Sequence, residues 1–305
     1  MQTVTVGFSG HETFPFRYGW LKKGVDAVAQ NTEFFSSERA MIDLGVGKNM
    51  VTSIKHWCTA SGLIKPKRLP NNSRLHYSPT PFGKALIGDG GFDPFLEDTA
   101  SLWLLHWQLA FNRDQCTTWH WLFNSLRSVE FTKEIIFSGI QDWLEQIGKK
   151  ATAEKLLKRD IDVCLRTYVH SKQSKGAITE ETFDCPLTEL GLIIEIEDGK
   201  TYQFQRGEQE TLPNEIFLFA LSEYWRKYNS AANSLSLGKI INDEGSPGRI
   251  FKIDENSAVR RLEQIEEFSD GAFAYAESAG LKEIFRHKDL SDFVWLEHYY
   301  QKRSL

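Results

Sequence analysis

The sequence has no long apolar run. Nothing in it approaches the roughly 18–20 consecutive apolar residues of a membrane span, and no membrane-crossing helix is expected. Cysteine is sparse, with 4 in 305 residues, at positions 58, 116, 164 and 185, and no CxxC pair. That excludes a disulfide scaffold and points to a reducing cytoplasm. The irregular spacing of His106, Cys116 and His120 suits buried histidines beside tryptophans better than zinc ligands. The opening MQTVTVGFSGHETF has no basic start followed by an apolar stretch, so no signal peptide is expected. A phosphate loop at Gly47-Lys48 would need Gly at 42 and Ser or Thr at 49, where Ile42 and Asn49 stand. His11-Glu12 does not open a zinc-protease HExxH, because position 15 is Pro. The PD-(D/E)xK, GIY-YIG and His-Asn-His nuclease patterns are also missing.

Aromatic residues are plentiful: Trp 9, Tyr 9 and Phe 21 supply a core and exclude disorder throughout. At 305 residues the chain is about twice the usual length of one domain, which predicts two or three. The net charge of −5 hides alternation along the chain. Residues 1–92 carry a net +5, 93–148 carry −5, 149–176 carry +5, 177–224 carry −9 and 225–305 carry −1. A protein that meets a polyanion on one face has this pattern, and so does ordinary charge fluctuation.

The spacing from Tyr18 to Leu86 predicts helix, helix, turn, helix and a two-stranded ribbon. A first helix covers Gly24–Gln30. Ser36-Ser37-Glu38 caps a second, with Ala40, Met41 and Leu44 inward. Gly45-Val46-Gly47 turns into a third, from Lys48 to Ser61, with Met50, Val51, Ile54, Trp57 and Cys58 as its apolar stripe. The ribbon runs through Lys65–Arg68, turns at Asn71-Asn72 and returns through Arg74–Tyr77, before Thr80-Pro81 opens another helix. This is the plan of a winged helix-turn-helix. Its reading helix would present Lys48, Asn49, Thr52, Ser53, Lys55 and His56, and its wing Lys65, Lys67, Arg68 and Arg74, with Lys22 and Lys23 nearby. Small hydrogen-bonding groups on the helix and cations on the wing suit base-edge contact and phosphate anchoring. A winged helix used only for protein contacts is the alternative.

Helices are expected at Leu102–Ala110, Trp119–Phe131, Ile135–Ile147 and Thr152–Tyr168, then a hairpin around Asp198-Gly199. A second winged-helix-like unit is expected over 213–288, with a helix from Pro213 to Tyr228, a short helix at Ser236–Ile241, a loop at Glu244–Gly248, a helix from Asp254 to Phe268, and a ribbon around Ala279-Gly280. Arg249, Lys252, Arg260 and Arg261 would be its cations. The expected class is mainly α (α+β), with winged helix-turn-helix units flanking a helical middle. The expected divisions are an N-terminal arm plus winged helix (1–90), a helical middle (91–176), and a hairpin plus second winged-helix-like unit (177–305).

Phe8–Lys23 packs a His-Glu pair, an Arg and two Lys among five aromatics. His11 and Glu12 offer a general base, and Arg17 with Lys22 or Lys23 offers stabilisation of a pentavalent phosphate. The bland alternative is a structural arm with His11 holding a turn and Arg17 stacked on aromatics. Asp160 and Asp162 follow Lys155, Lys158 and Arg159 and are candidate metal ligands. On a helix they face nearly opposite ways, which favours ordinary salt bridges from Asp162 to Arg159 and Arg166.

The segments GHETFPFRYGWLKK, LGVGKNMVTSIKHW, FDPFLEDTASLWLLHWQL, CPLTELGLI and SPGRIFKIDEN resemble a bacterial family long labelled a domain of unknown function, the SspB-type family. The resemblance runs from about residue 7 to 290. It implies a nicking endonuclease encoded with DNA phosphorothioation genes and serving phage defence. It also implies double-stranded DNA as substrate. The implied partners are a cysteine desulfurase, an ATPase and an ATP-pyrophosphatase-like sulfur-insertion protein. A nick implies Mg²⁺ or Mn²⁺, with no organic cofactor and no membrane. A non-catalytic DNA-recognition subunit of the same system, or a winged-helix transcription regulator, are the alternatives.

Overall fold

The computed structural model describes residues 4–68, 74–170, 184–197 and 199–303. The protein is mixed α+β, about 51% helical, with small antiparallel sheets. It divides into two compact units, the first Met1–Leu122 with Leu126–Gln203, the second Phe123–Ser125 with Phe204–Leu305. The boundary expected near residue 90 falls inside the first unit.

The first unit begins with α1 (Trp20–Gln30), a single 3₁₀ turn at Phe34–Ser36, α2 (Ala40–Leu44) and α3 (Lys48–Ala60). The hairpin β1 (Ile64–Arg68) and β2 (Leu75–Pro79) follows, then α4 (Pro81–Leu86). The expected Asn71-Asn72 turn lies outside the described residues. Val51, Ile54, Trp57 and Cys58 are buried on α3, as a stripe at helical spacing requires. Met41, expected inward on α2, is 42% exposed, because five residues make barely more than one turn and only Ala40 and Leu44 reach the core. Ser53 is buried and its hydroxyl faces the Phe14 carbonyl at 3.5 Å, so it does not belong to the outer face.

The helix α5 (Thr99–Phe111) is apolar all round, with every residue from Ala100 to Trp107 buried. Such a helix can only be central. Asp98 caps it by accepting from the Ala100 amide at 2.9 Å. Around it stand α6 (Thr117–Asn124), α7 (Lys133–Gln146) and α8 (Glu154–Tyr168). The expected helix to Phe131 stops at Asn124, and Glu130–Phe131 forms a short strand, β3. That strand pairs with β5 (Thr201–Phe204), which also carries β4 (Ile193–Glu197), in the order β3-β5-β4. Two residues paired across some 70 positions leave no local signal. His106 meets the Tyr168 hydroxyl at 2.8 Å and His120 the Ala110 carbonyl at 2.8 Å. Burial pushes all four cysteine thiols up, so none is a ready thiolate.

The second unit holds α9 (Asn214–Tyr228), β6 (Ser234–Ser236), α10 (Leu237–Asn242), α11 (Pro247–Ile250), α12 (Glu255–Glu263), α13 (Ile265–Phe268), β7 (Phe273–Ser278), β8 (Leu281–Arg286) and α14 (Asp292–Arg303). Its sheet runs β6-β8-β7. The loop expected at Glu244–Gly248 gives way to α11, started by the Ser246 hydroxyl and Pro247. The helix expected from Asp254 to Phe268 breaks at Gln264. The sequence reading had no counterpart for α14, which buries Trp295 and Leu296 and packs along α9.

Gly83 of α4 lies against the start of β1. A Cβ there would sit 2.0 Å from the Leu63 carbonyl oxygen. Both groups are backbone, so neither can turn aside. Gly83→Ala is therefore expected to cost about 3 kcal/mol, the upper part of the overpacking range, read as a lower urea midpoint at unchanged slope.

Candidate functional site

The N-terminal arm is fastened to α8 by one carboxylate. The chain turns tightly at Ser9–Phe14, with positive φ at Ser9 (61°) and Glu12 (58°). That turn brings the Ser9 amide and the His11 ring to the same oxygen. The amide donates to Asp160 Oδ1 at 2.5 Å and His11 Nε2–H donates to it at 2.7 Å. The Thr118 hydroxyl donates to Oδ2 at 2.5 Å. His11 and Asp160 are each 1% exposed. Trp57 stacks on His11 at 5.7 Å between centroids, and Trp119 closes from the edge at 5.5 Å. Trp57 Nε1 also donates to the Phe14 carbonyl at 2.9 Å, so α3 holds the arm as well.

His56, expected on the outer face of α3, turns inward instead. Its ring lies 5.7 Å from that of His11, and its Nε2 is buried without a partner among the described residues. Gly10 permits this, because a Cβ at that position would sit 2.3 Å from His56 Nδ1. Burial, and then the nearby His11, pushes the His56 pKa down to about 3.

The five candidate catalytic residues therefore separate. His11 and Asp160 meet, but every approach to them is filled. Asp160 has both oxygens engaged and does not fit a divalent cation, which needs free carboxylate oxygens. Among the described residues no group of three His, Cys, Asp or Glu could hold a metal ion. Glu12 is half-buried on the turn. Asp162 points the other way on α8 and pairs with Lys133 at 2.7 Å, not with Arg159 or Arg166. Arg17 lies over Trp20 and Phe14, at 5.1 and 5.9 Å from the ring centroids.

The candidate DNA-contacting cations also divide. Lys48 and Asn49 are exposed at the start of α3, with Thr52 and Lys55 half-exposed beyond them. Lys65, Lys67 and Arg68 are exposed along β1. None of Lys48, Lys55, Lys65, Lys67 and Arg68 pairs with a carboxylate among the described residues. Arg74 is exposed and meets Glu33 at 3.2 Å. Lys22 is held by Asp26 at 2.7 Å and Asp89 at 2.5 Å and is mostly buried, while Lys23 is exposed. Arg249 is 8% exposed, and its Nε donates to the Asn124 carbonyl at 2.7 Å, which removes it from any surface. Lys252 is buried likewise on the Phe123 carbonyl at 2.8 Å. Both satisfy carbonyls at the end of α6 that the helix leaves open. Arg260 is exposed and paired with Glu208 at 3.0 Å.

Sequence reading missed a cavity of about 520 Å³ in the first unit. Arg17, Tyr18 and Lys23 line it from the arm and α1, and His170, Asp184 and Glu189 line it from the segment after α8. The Tyr18 hydroxyl donates to Glu189, and His170 meets Asp184 at 3.0 Å. Partial burial and the Glu189 carboxylate push the Tyr18 phenol up, so it stays protonated. The segment CPLTELGLI, which carries part of the resemblance, contributes Cys185, Thr188 and Glu189 to this wall.

The first unit thus carries, among the described residues, a face of cations on α3 and β1 that no carboxylate pairs. The family described as "Protein of unknown function (DUF4007)" matches residues 8–300, and the chain belongs to it. Its structure is similar to an SspB crystal structure, with TM-score 0.88 and 29% identity, over 97% of this chain and 88% of that one. A magnesium ion-bound SspB crystal structure is similar to the same extent, with TM-score 0.88, 28% identity and the same coverage. No curated protein matches the chain. No helix among the described residues is long and apolar enough to cross a membrane.

Two predictions separate the arm lock from the surface. Asp160→Ala strands three buried donors and is expected to cost about 3 kcal/mol or more. Asp162→Ala, losing an exposed pair, is expected to cost under about 1 kcal/mol. Chemical denaturation of both variants tests the contrast, and equal losses would refute it. The second concerns pH. Folded His56 stays neutral down to about pH 3, while the unfolded residue takes a proton below its ordinary 6.5. Between these values the unfolded chain binds more protons. Stability is complete above pH 6.5 and falls as pH drops, with about 1 kcal/mol lost per unit from this residue. His56→Gln is expected to flatten the slope of unfolding free energy between about pH 5 and pH 7.

Proposed function

We propose that the chain is the DNA-binding nicking component of a single-strand DNA phosphorothioate modification and phage-defence system. The observation that carries the reading is the likeness to SspB over 97% of the chain at 29% identity. In this reading α1, α2, α3 and the β1–β2 ribbon act as a winged helix-turn-helix. The helix α3 enters the major groove with Lys48, Asn49, Thr52 and Lys55, and Lys65, Lys67 and Arg68 of the wing rest on phosphates. The five cations on these two elements that pair with no carboxylate among the described residues support it, because a cation without a protein carboxylate keeps its full charge for a phosphate. Cysteine desulfurase, ATPase and ATP-pyrophosphatase-like proteins are the partners in the same system, and Mg²⁺ or Mn²⁺ is the metal. The second unit adds little to this surface, since Arg249 and Lys252 are committed to backbone carbonyls.

A second reading, a recognition subunit that presents DNA to the sulfur-inserting partners without cutting it, draws on one observation. The His11–Asp160 pair is sealed from solvent, so it offers no base to a scissile phosphate.

One experiment addresses both. Supercoiled plasmid is incubated with the chain in Mg²⁺, Mn²⁺ or EDTA, beside Lys55→Ala/Arg68→Ala. Open circles are expected only with metal and are expected to be fewer with the variant. Duplex affinity of the variant is expected to show a salt slope lower by about 2 in log–log form, one phosphate contact for each cation lost. Binding without nicking under any metal selects the recognition subunit. An unchanged salt slope rejects the docking face.

A further inference from the structure

We propose that the outer face of α8 is a second line of contact with the DNA phosphate backbone, formed by Lys155, Arg159 and Arg166 and separate from α3 and its ribbon. The inference rests on the DNA reading above and adds where the duplex meets the protein beyond the reading helix.

The charges of α8 and of the loop before it divide by partner. Residues 149–170 hold six Lys and Arg and three carboxylates. Asp160 is buried against the arm, Glu154 is held by Lys158 at 2.5 Å, and Asp162 by Lys133 of α7 at 2.7 Å. All three carboxylates are thus engaged, and among the described residues only Lys158 of the six cations pairs with one. Lys155, Arg159 and Arg166 are exposed and pair with none. Helical spacing explains the division. Glu154, Lys158 and Asp162 stand four apart on the line that turns to α7, whereas positions 155, 159 and 166 fall within about 40° of one another on the adjoining outer line. A solvated helix face usually alternates its signs. Here Lys155 and Arg159 stand at i, i+4 with like charge, an arrangement that weakens a helix and that an external polyanion relieves.

The dimensions favour DNA as that polyanion. Lys155 to Arg166 covers about 16 Å of helix axis at about 1.5 Å per residue. A duplex carries one phosphate per roughly 1.7 Å of its axis, so the line meets phosphates whatever the sequence. An extended acidic peptide carries at most one charge per roughly 3.4 Å, half that density. The arm, finally, joins this line to the reading helix. Arg166 donates to the Thr13 carbonyl at 3.2 Å, and Trp57 of α3 donates to the next carbonyl, that of Phe14, at 2.9 Å. The two helices hold adjacent carbonyls of the arm, which sets the two cationic elements beside each other in the first unit. A guanidinium that donates to a neutral carbonyl keeps its charge and its remaining N–H groups.

The test is duplex binding by the full chain as a function of salt, for Lys155→Gln/Arg159→Gln and for Lys158→Gln, beside Lys55→Ala/Arg68→Ala. The double glutamine variant is expected to lower the log–log salt slope by about 2 and to weaken binding equally for unrelated duplex sequences. Lys158→Gln, which removes a charge that Glu154 already holds, is expected to change the slope by less than about 0.5. The thermal midpoint of the double glutamine variant without DNA is expected not to fall, since a like-charge pair is removed. Poly-glutamate is titrated in parallel and is expected to bind at least about tenfold more weakly than a duplex of equal charge. A slope unchanged in the double glutamine variant, or lowered as much by Lys158→Gln, overturns the α8 line. Poly-glutamate bound as tightly as duplex, and lost in the double glutamine variant, assigns the face to an acidic protein and overturns the DNA contact. A slope lowered by Lys55→Ala/Arg68→Ala and not by the double glutamine variant removes α8 alone, whereas a chain that retains no duplex removes the DNA reading with it.

Discussion

The Asp160 carboxylate accepts from the Ser9 amide, the His11 ring and the Thr118 hydroxyl, all out of water. Three donors on one buried carboxylate offset the cost of burying its charge, and no two of them would do so as well. Through them, α8, α6 and the N-terminal arm hold one arrangement across 149 residues of chain. The arm in turn gives its Phe14 carbonyl to Trp57, which sets α3 against it. The helix that presents Lys48 and Lys55 is thus positioned by a carboxylate that never meets solvent. A residue pair that looks catalytic by type is here a fastening, and its burial makes it one.

The cations tell the complementary story. In the second unit, Arg249 and Lys252 spend their donors on the open carbonyls of Asn124 and Phe123, and Arg261 on Leu212 and Asn214 beside Phe217. Burial lowers the Arg261 pKa to about 10, and the residue stays charged. Long basic side chains can bury their stems and stack on rings, so a basic stretch of sequence does not imply a basic surface. In the first unit the charges on α3 and β1 point outward, and among the described residues no carboxylate absorbs Lys48, Lys55, Lys65, Lys67 or Arg68.

The sequence by itself determined the parts that depend on local periodicity and capping. The α3 stripe, the Thr80-Pro81 start of α4, the all-apolar α5 and the opposed faces of Asp160 and Asp162 follow from spacing along one helix. The family likeness was equally legible, because motifs such as GHETFPFRYGWLKK are long and specific. Tertiary structure decided what depends on meetings between distant segments. It turned His56 inward against Gly10, engaged Lys22 with Asp89, buried Arg249, ended α6 at Asn124 in favour of the β3–β5 pair, and closed Tyr18 onto Glu189 across 171 residues. The physical reason is common to all of them. Burial and charge pairing are properties of what surrounds a side chain in space. A hydrogen-bonding residue reads the same in sequence whether a carbonyl, a carboxylate or a phosphate waits for it.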